Sequence, residues 1–504
     1  MRVARSLISL LLLSVAVLTA GCLATGNHEE STSDFRQALH QYVHSPSDVF
    51  SYRLIETTTT SQATIYTLNI TSLTWLPESE VGSKHIWYHF VTVAIPNDLN
   101  KVNSQGFFFI TNGRTDQPAP GADATTSSPV GIDAFSTSLA VNTKSIAATL
   151  YLIPNQPMSY NSDPEHLIRE EDAIIGFGWR RFMNNTADNL LYVTQLPMVK
   201  ASKLSLDAVQ HFVQQKIDNY RLETFMVGGN SKRGWTTLLL GGVDNRVNSI
   251  VPVVIPTFGT KRFIKRSYDN MCAWPWAYYD YVTSGVTDQL FTPEFEDLTD
   301  IVDPLHYDRL DTIQKYQILA MGDEFFSPDL NSLSYRRVKG DKYVRYVPNA
   351  GHFLQDTDFL PVLQSYYYAR HNQIEIPKYQ FSHEFIPEGL LINVKITNGK
   401  RPTRVQLWSA TNLNGPRDFR TTTIGVNAWT ATELSEIEAF EWQVLVRNPV
   451  SGYTAAMVEL VFENYVSVEG VQMAPLKFTT NSYITPNTLP CDISPDNLPT
   501  RQMV

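Results

Sequence analysis

Apolar positions along the chain follow two different rhythms, and the first extends to about residue 385. In this part, short apolar runs typical of buried strands occupy residues 63–70, 85–95, 106–111, 145–153, 223–227, 250–255, 316–320 and 343–347. Segments with helical character lie between them, at residues 165–185, 199–217 and 233–241. In the second of these, apolar side chains recur from Leu206 to Ile217 at spacings of three and four. Strands that alternate with helices predict βα units and a mainly parallel sheet flanked by helices.

The second rhythm begins after residue 385 and lacks helical periodicity. Strand-like runs joined by turn-rich pieces occupy residues 390–396, 404–409, 441–446 and 455–462. This pattern predicts a smaller C-terminal domain, an antiparallel β-sandwich of about 100 residues. In the first domain, residues 112–135 are rich in Gly, Pro, Ser and Thr and are predicted to form a long loop.

The first residues indicate export. Arg2 and Arg5 precede an apolar run at residues 7–18, which is too short for a membrane-spanning helix and is typical of a secretory signal. The small residues before Cys22 resemble a bacterial lipobox, although Thr19 stands where leucine is usual. We therefore expect a lipid on Cys22 that attaches the exported chain to a membrane of the cell envelope. The alternative is an ordinary cleaved signal in which Cys22 has no role.

The boundaries follow from these patterns. The predicted order is a signal peptide (1–21), a lipidated tether (22–45), an α/β domain (46–385), a β-sandwich domain (386–490) and a tail (491–504).

Composition limits the possible partners. The 504 residues carry 40 basic and 50 acidic side chains, so nucleic acid is not an expected partner. Three cysteines are too few for a disulfide scaffold. In an oxidising compartment Cys272 and Cys491 can pair, and otherwise they are buried thiols.

The most informative stretch is residues 224–235, TFMVGGNSKRGW. A buried strand runs into Gly229-Asn230-Ser231, and a helix begins directly afterwards. A nucleophilic serine needs such a sharp turn with small neighbours. The usual glycine two residues after the serine is replaced by Arg233, and Gly234 follows one place later. The alternative is a tight turn in which Ser231 only caps the helix.

An oxyanion site is expected beside this turn. The free N–H groups at a helix start stabilise negative charge, and the backbone N–H of Lys232 is the first candidate donor. The second is expected from the loop after an earlier strand, where Gly113 or Arg114 presents its amide.

A base and an acid follow in the order typical of α/β-hydrolases. The strand at 316–320 opens into an acidic loop, and the strand at 343–347 ends in a loop with His352. We expect His352 to take the serine proton and Asp323 to orient its ring. Asp329, or Glu324, is the alternative acid.

Other residues carry weaker signals. Trp274, Trp276 and Arg233 are possible substrate contacts, although the aromatic segment at 274–281 also fits a packed cap and Arg233 also fits a structural ion pair with Asp244 or Glu171. His85 and His89 have ligand spacing only on a helix, and they lie in a strand-like run, so no metal is expected. No phosphate loop or dinucleotide motif occurs, and no organic cofactor is expected.

A set of short stretches, in order along residues 145–490, resembles one known family. They are residues 153–157, 171–175, 196–199, 229–237, 244–247, 303–307, 322–326, 347–352, 417–420 and 479–486. The chain resembles the PhoPQ-activated pathogenicity-related proteins. The resemblance implies an α/β-hydrolase-like domain followed by a small β domain, and kinship with secreted autocrine proliferation repressors, whose role is signalling. The family is named for regulation and virulence, so it implies no substrate.

Two functions are therefore expected from the sequence. One is a serine hydrolase that cleaves an ester or amide through an acyl-enzyme. The other is a non-catalytic binding or signalling protein on a hydrolase scaffold.

Overall fold

A nine-stranded sheet organises the first two thirds of the chain. The computed structural model describes residues 35–117, 130–468 and 471–504, so the predicted signal peptide and Cys22 lie outside the described residues. Contacts divide the chain into Met1–Ser33 and Asp34–Val504, and every described residue belongs to the second unit. The strands of the large sheet are β1 (Ser51–Thr59), β2 (Ala63–Thr74), β3 (Ile86–Pro96), β4 (Gln105–Ile110), β5 (Ala147–Leu150), β6 (Thr224–Asn230), β7 (Val247–Val253), β8 (Gln314–Ala320) and β9 (Lys342–Val347).

The spatial order of the sheet is β1-β2-β3-β5-β4-β6-β7-β8-β9. The six strands from β5 to β9 pair in parallel, whereas β1, β2 and β3 form an antiparallel edge. Every residue of β4, β5 and β8 is buried, as expected for parallel strands covered on both faces. The carboxyl ends of the parallel strands therefore share one edge, where ligands bind in open α/β sheets.

Helices cover both faces of this sheet. The α-helices of the described residues are α1 (Ala38–His44), α2 (Glu78–Val81), α3 (Val130–Thr143), α4 (Asp172–Asn184), α5 (Gln195–Lys216), α6 (Lys232–Val243), α7 (Thr260–Met271), α8 (Tyr279–Thr283), α9 (Pro293–Val302), α10 (Phe359–His371) and α11 (Thr421–Ile424), the last of which follows β9 and α10 in the C-terminal region. Helices α5 and α6 contact each other on one face, and α3 and α10 contact each other on the other. Helices α7, α8 and α9 form an insertion between β7 and β8.

Two antiparallel sheets follow α10. The strands of the first are β10 (Lys378–Ile386), β11 (Gly389–Asn398) and β14 (Glu441–Arg447), and those of the second are β12 (Arg404–Asn412), β13 (Thr430–Glu433), β15 (Tyr453–Phe462), β16 (Leu476–Thr479) and β17 (Tyr483–Thr485). Ile392 of β11 and Leu460 of β15 share one buried apolar cluster with Tyr316 of β8, so these sheets pack against the large one. The predicted fold class is thereby confirmed: a mainly parallel sheet flanked by helices, with a smaller antiparallel region behind it.

The C-terminal residues are tied back to the insertion. Cys272 and Cys491 form a disulfide with their Cα atoms 5.3 Å apart. The backbone N–H of Trp274 donates to the carbonyl of Gln502 at 2.8 Å, and that of Val504 donates to the carbonyl of Trp274 at 2.9 Å. Of the two states left open for these cysteines, the structure has the disulfide. In the described part of the chain, no helix is long and apolar enough to cross a membrane.

The predicted loop at 112–135 needs one correction. Helix α3 begins at Val130, inside that range, and residues 118–129 lie outside the described part. Residues 130–135 include Gly and Asp, which are poor helix formers, so composition favours a loop here. The helix is held instead by packing, because its own residues Leu139 and Ala140 are fully buried.

Candidate active site

Ser231 lies at the turn between β6 and α6. Its backbone has φ 54° and ψ −128°, a conformation that non-glycine residues seldom adopt. Two hydrogen bonds hold it there: the Ser231 N–H donates to the carbonyl of Val253 at 2.8 Å, and the Trp235 N–H donates to the carbonyl of Ser231 at 3.0 Å. The turn therefore projects the serine side chain at the carboxyl edge of the sheet and next to the start of a helix.

The crowding of this turn explains its glycines. A Cβ on Gly229 would lie 2.6 Å from the carbonyl oxygen of Arg233, and one on Gly234 would lie 2.8 Å from the carbonyl oxygen of Gly229. Both contacts are with backbone atoms, which cannot move aside. Gly234 thus allows α6 to approach β6 closely. In the usual pattern the glycine that does so stands one position earlier, where this chain has Arg233.

His352 and Asp323 meet at the ends of neighbouring strands. His352 follows β9 and Asp323 follows β8, and His352 Nδ1 lies 2.9 Å and 3.0 Å from the two carboxylate oxygens of Asp323. Both side chains are buried. Asp323 Oδ1 also accepts from the backbone N–H groups of Phe325 and Phe326, at 2.8 and 3.1 Å. The carboxylate is therefore fixed by its own loop and directed at one nitrogen of the imidazole.

The two other acids of this loop have different partners. Glu324 Oε2 accepts from the backbone N–H of His352 at 2.7 Å, so it holds the histidine loop by its backbone. Asp329 is bound by Arg266 and Arg417, each at 3.0 Å. Burial raises the pKa of Asp329, but the two guanidinium groups outweigh it and lower the pKa below its ordinary value. Of the three carboxylates, the structure brings Asp323 to the histidine ring.

Ser231 and His352 line adjoining spaces. Phe325 and Phe326 line a cavity together with Ser231, and their rings lie 4.6 and 5.9 Å from the imidazole of His352. Asn230, directly before the serine, lines a second cavity together with His352. Within the described ranges no hydrogen bond joins the Ser231 hydroxyl to His352, which is common for catalytic pairs without substrate.

Lys232 and Arg233 are held by carboxylates. Arg233 binds both carboxylate oxygens of Glu171, at 2.6 and 2.7 Å. Lys232 Nζ lies 2.8 Å from Glu171 and 2.9 Å from Asp172. Burial raises the pKa of Glu171, but Arg233 and then Lys232 more than offset it and hold the pKa well below its ordinary value. The side chain of Arg233 thus serves the ion pair with Glu171, one of its two predicted alternatives.

The loop after β4 approaches the same edge. Ile110, the last residue of β4, pairs with Gly229 of β6, so Gly113 lies three residues beyond this point. The carbonyl of Gly113 accepts from Gln156 Nε2 at 3.1 Å, and the same nitrogen lies 2.6 Å from Glu171. Glu171 therefore connects the start of α6 with the loop that carries Gly113. Sequence reasoning missed Gln156, because its role depends on contacts between distant segments.

The residues of the aromatic segment at 274–281 lie in three places: the core, the surface and the cavity beside Ser231. Trp274 is fully buried, and its indole N–H donates to the carbonyl of Thr500 at 3.0 Å. Trp276 is 53% exposed. The structure brings neither to the cavity beside Ser231, whose wall includes Tyr278 and Tyr281 instead.

The histidines with ligand spacing have local partners. His89 lies on β3 with Nε2 2.9 Å from the Ser72 hydroxyl and Nδ1 3.1 Å from the carbonyl of Leu152. His85 contacts the carbonyl of Gly82. Among the residues that the structure describes, no three His, Cys, Asp or Glu side chains form a group that could hold a metal ion.

The sheet order and the covering helices define this chain as a protein of the α/β-hydrolase fold. The chain belongs to the family of PhoPQ-activated pathogenicity-related proteins, whose family model matches residues 39–420. It is 30% identical over 477 residues to autocrine proliferation repressor protein A of Dictyostelium discoideum, with 91% of this chain and 92% of the relative covered.

Similar solved structures include two esterases. One is acetyl xylan esterase 1 from a Thermoanaerobacterium species, with a TM-score of 0.40, 14% identity, and coverage of 67% of this chain and 94% of that one. The other is a glucuronoyl esterase from Solibacter usitatus, with a TM-score of 0.40, 12% identity, and coverage of 68% and 92%.

Proposed function

We propose that this protein is a serine hydrolase that cleaves an ester or amide with Ser231 as nucleophile, His352 as general base and Asp323 as the group that orients the histidine. The observation that carries the proposal is the contact of His352 Nδ1 with Asp323 at 2.9 Å, at the same sheet edge as the strained turn of Ser231. In this proposal the carboxylate keeps the proton on Nδ1, which leaves Nε2 to accept a proton from Ser231.

The reaction proceeds in two halves. In the first, Ser231 Oγ bonds to the substrate carbonyl carbon while its proton passes to His352 Nε2. The tetrahedral intermediate then collapses, the bond to the leaving alcohol or amine breaks, and the proton on His352 passes to that group. In the second half a water molecule attacks the acyl-enzyme in the same way, which releases the acid and restores Ser231.

Two backbone amides are assigned to the oxyanion. Lys232 is the first residue of α6, where N–H groups have no acceptor within the helix. Gly113 is the second donor in this proposal. Its support is the position of its loop beyond β4 and the anchoring of its carbonyl by Gln156. Donors fixed before the substrate arrives stabilise the charge that develops in the transition state.

A fluorophosphonate probe tests the nucleophile. We expect the probe to label the purified protein at Ser231, and Ser231→Ala to lose both the label and the hydrolysis of p-nitrophenyl acetate. Ser284→Ala is the matched control, because the Ser284 hydroxyl donates to carbonyls of its own helical segment. Label that persists on another residue in Ser231→Ala would contradict the assignment.

A signalling protein without catalysis is the second candidate. It is favoured by the 30% identity to a relative named as an autocrine proliferation repressor. The two candidates differ in their dependence on Ser231. Turnover of a simple ester that disappears in Ser231→Ala counts against the non-catalytic candidate.

We also propose that the chain is exported and carries a lipid on Cys22. The disulfide between Cys272 and Cys491 supports export, because such bonds persist in oxidising compartments. In a bacterial host we expect the full chain to sediment with membranes, and Cys22→Ser to release it. A wild-type chain that stays in the unsedimented fraction would contradict the lipid anchor.

A further inference from the structure

The cavity beside Ser231 has an aromatic wall. Trp179 and Trp235 line it, together with Phe263 and Tyr278 of the insertion after β7. Phe325 and Phe326 also line it, and their rings lie 4.6 and 5.9 Å from the imidazole of His352. The rest of the wall is mixed: it includes two more aromatic and three aliphatic side chains, together with four polar residues, and they are Tyr281, Phe295, Ile255, Ile264, Val286, Asp172, Ser231, Lys232 and Thr287. Such a wall favours an apolar ligand group, since transfer of apolar surface from water is favourable.

The polar side chains in the wall are largely paired with one another. Asp172 accepts from the Tyr281 hydroxyl at 2.8 Å and forms an ion pair with Lys232 at 2.9 Å. Besides Ser231, the wall contains Thr287, whose buried hydroxyl has no hydrogen-bond partner among the described residues. Since the charged side chains of the wall are already paired, a charged ligand group would lose its hydration without finding a free counter-ion.

The cavity is narrow. Its volume is about 40 Å³ for the centre of a water-sized sphere. Because one water needs about 10–15 Å³ by this measure, the space holds roughly three or four small groups. This corresponds to a chain of two or three carbons beyond the carbonyl that Ser231 attacks.

The cavity next to His352, which Asn230 also lines, is larger. It measures about 330 Å³ and is lined by Asn230, His352 and Phe353. The leaving group must receive a proton from His352, and the water of the second half-reaction must lose one to it. Both therefore require space next to the imidazole, which leaves the narrow cavity for the acyl group.

We infer that the cavity between Trp235, Phe263 and Val286 is an acyl subsite for short unbranched acyl groups, propionyl to butyryl. The inference rests on the proposed function, because it assigns a substrate class to the same serine. The alcohol part of the ester then lies on the side of His352.

A chain-length series tests this subsite. We measure kcat/KM of the full chain for p-nitrophenyl acetate, propionate, butyrate, hexanoate and octanoate, which share one alcohol. The expected profile rises by about four-fold for each methylene that enters the cavity, peaks at propionate or butyrate, and falls at least ten-fold by octanoate. A flat profile, or one that still rises at octanoate, overturns the inference while the proposed function stands.

Substitutions at Val286 test the location of the subsite. Val286→Ala is expected to move the optimum to a longer acyl chain, and Val286→Phe to make acetate the best substrate. Val282→Ala is the matched control, since Val282 is buried four residues earlier and does not line the cavity. An unchanged optimum in Val286→Ala overturns the assignment. Absence of both ester turnover and fluorophosphonate labelling of Ser231 instead rejects the proposed function, and the acyl subsite with it.

Discussion

Arg233 binds Glu171 through both terminal nitrogens of its guanidinium, at 2.6 and 2.7 Å. The arginine stands two residues after Ser231, where the standard pattern of a nucleophile turn has glycine. Its Nε also donates to the carbonyl of Ile153, so the side chain is committed to the protein interior. The departure from the pattern therefore adds an ion pair beneath the turn, and the need for a small residue is met by Gly234.

Removing the carboxylate should destabilise the protein. In Glu171→Gln, Arg233 and Lys232 remain buried without their common counter-ion, which leaves Lys232 with Asp172 alone. Loss of one partner of a buried pair costs several kcal/mol, but Glu171 is 34% exposed, and we expect a loss of about 2–3 kcal/mol in the free energy of unfolding. Urea denaturation of the variant and the wild type measures this loss. Glu170→Gln is the matched control and should change stability little, because its pair with Arg114 is more exposed. Equal losses in both variants would contradict this role.

Gly234 should not tolerate a side chain. In Gly234→Ala the Cβ would lie 2.7 Å from Ile255 Cγ2 and 2.8 Å from a backbone oxygen, so β6 and α6 must separate. We expect a loss of about 2–3 kcal/mol in the free energy of unfolding. Gly241→Ala, on the same helix, meets its nearest atoms at 3.0 Å and only in side chains. It should cost less than half as much, and thermal unfolding of the two variants provides the comparison.

The buried strands of the large sheet were predictable because both of their faces are covered. The apolar runs of β6, β8 and β9 can be recognised from the sequence of each strand alone. Each of these strands lies within a few residues of its predicted range. By contrast, β10 was missed, since its burial alternates between exposed and half-buried positions at the surface. Sequence periodicity detects burial, so surface strands give a weaker pattern.

The candidate site also has one part that could be predicted from the sequence and one part that could not. The meeting of Asp323 with His352 follows from strand order, because the carboxyl ends of adjacent parallel strands share one edge. The cavity wall could not be predicted, since it combines the insertion after β7 with Phe325 and Phe326. Nor could the burial of Trp274, which depends on the C-terminal residues returning to contact it. Such contacts join segments more than 200 residues apart, and no local pattern encodes them.

A fall in pH should lower the free energy of unfolding, because His89 is protonated more readily in the unfolded chain than in the folded one. Burial lowers the pKa of His89 from 6.5 to about 4, and the neighbouring backbone carbonyls offset only part of this effect. Between these values the unfolded chain binds more protons than the folded one, so stability is lost as the pH falls from 6.5 towards 4. The contribution amounts to roughly 3 kcal/mol at the lower end. We expect His89→Gln to flatten the pH dependence of the free energy of unfolding, measured by urea denaturation from about pH 7.5 to about pH 4.5. Parallel curves for wild type and variant would contradict the prediction.

The disulfide should stabilise the protein substantially. Cys272 and Cys491 are 219 residues apart in sequence, and a cross-link that closes so long a loop restricts the unfolded chain strongly. For the double variant Cys272→Ser and Cys491→Ser we expect a loss of about 3–5 kcal/mol in the free energy of unfolding. Thermal unfolding of the wild type with and without reductant is the control. Reductant should lower its melting temperature and leave that of the double variant unchanged, and a reductant effect on the double variant would contradict the assignment.

The two aspartates of the acidic loop should separate catalysis from stability. Asp323 contacts His352 Nδ1, whereas Asp329 is bound by Arg266 and Arg417 and lies among buried groups. If Ser231 is the nucleophile, Asp323→Asn should lower kcat for a p-nitrophenyl ester by about 10⁴-fold, because the amide no longer fixes the histidine tautomer, with little change in KM.

Asp329→Asn should act in the opposite sense. It leaves two guanidinium groups without their counter-ion, so the free energy of unfolding should fall by about 3 kcal/mol while kcat of the folded protein stays within a few-fold of wild type. Steady-state kinetics and urea denaturation of both variants measure the separation. A large loss of kcat in Asp329→Asn, with activity retained in Asp323→Asn, would transfer the role of the triad acid to Asp329.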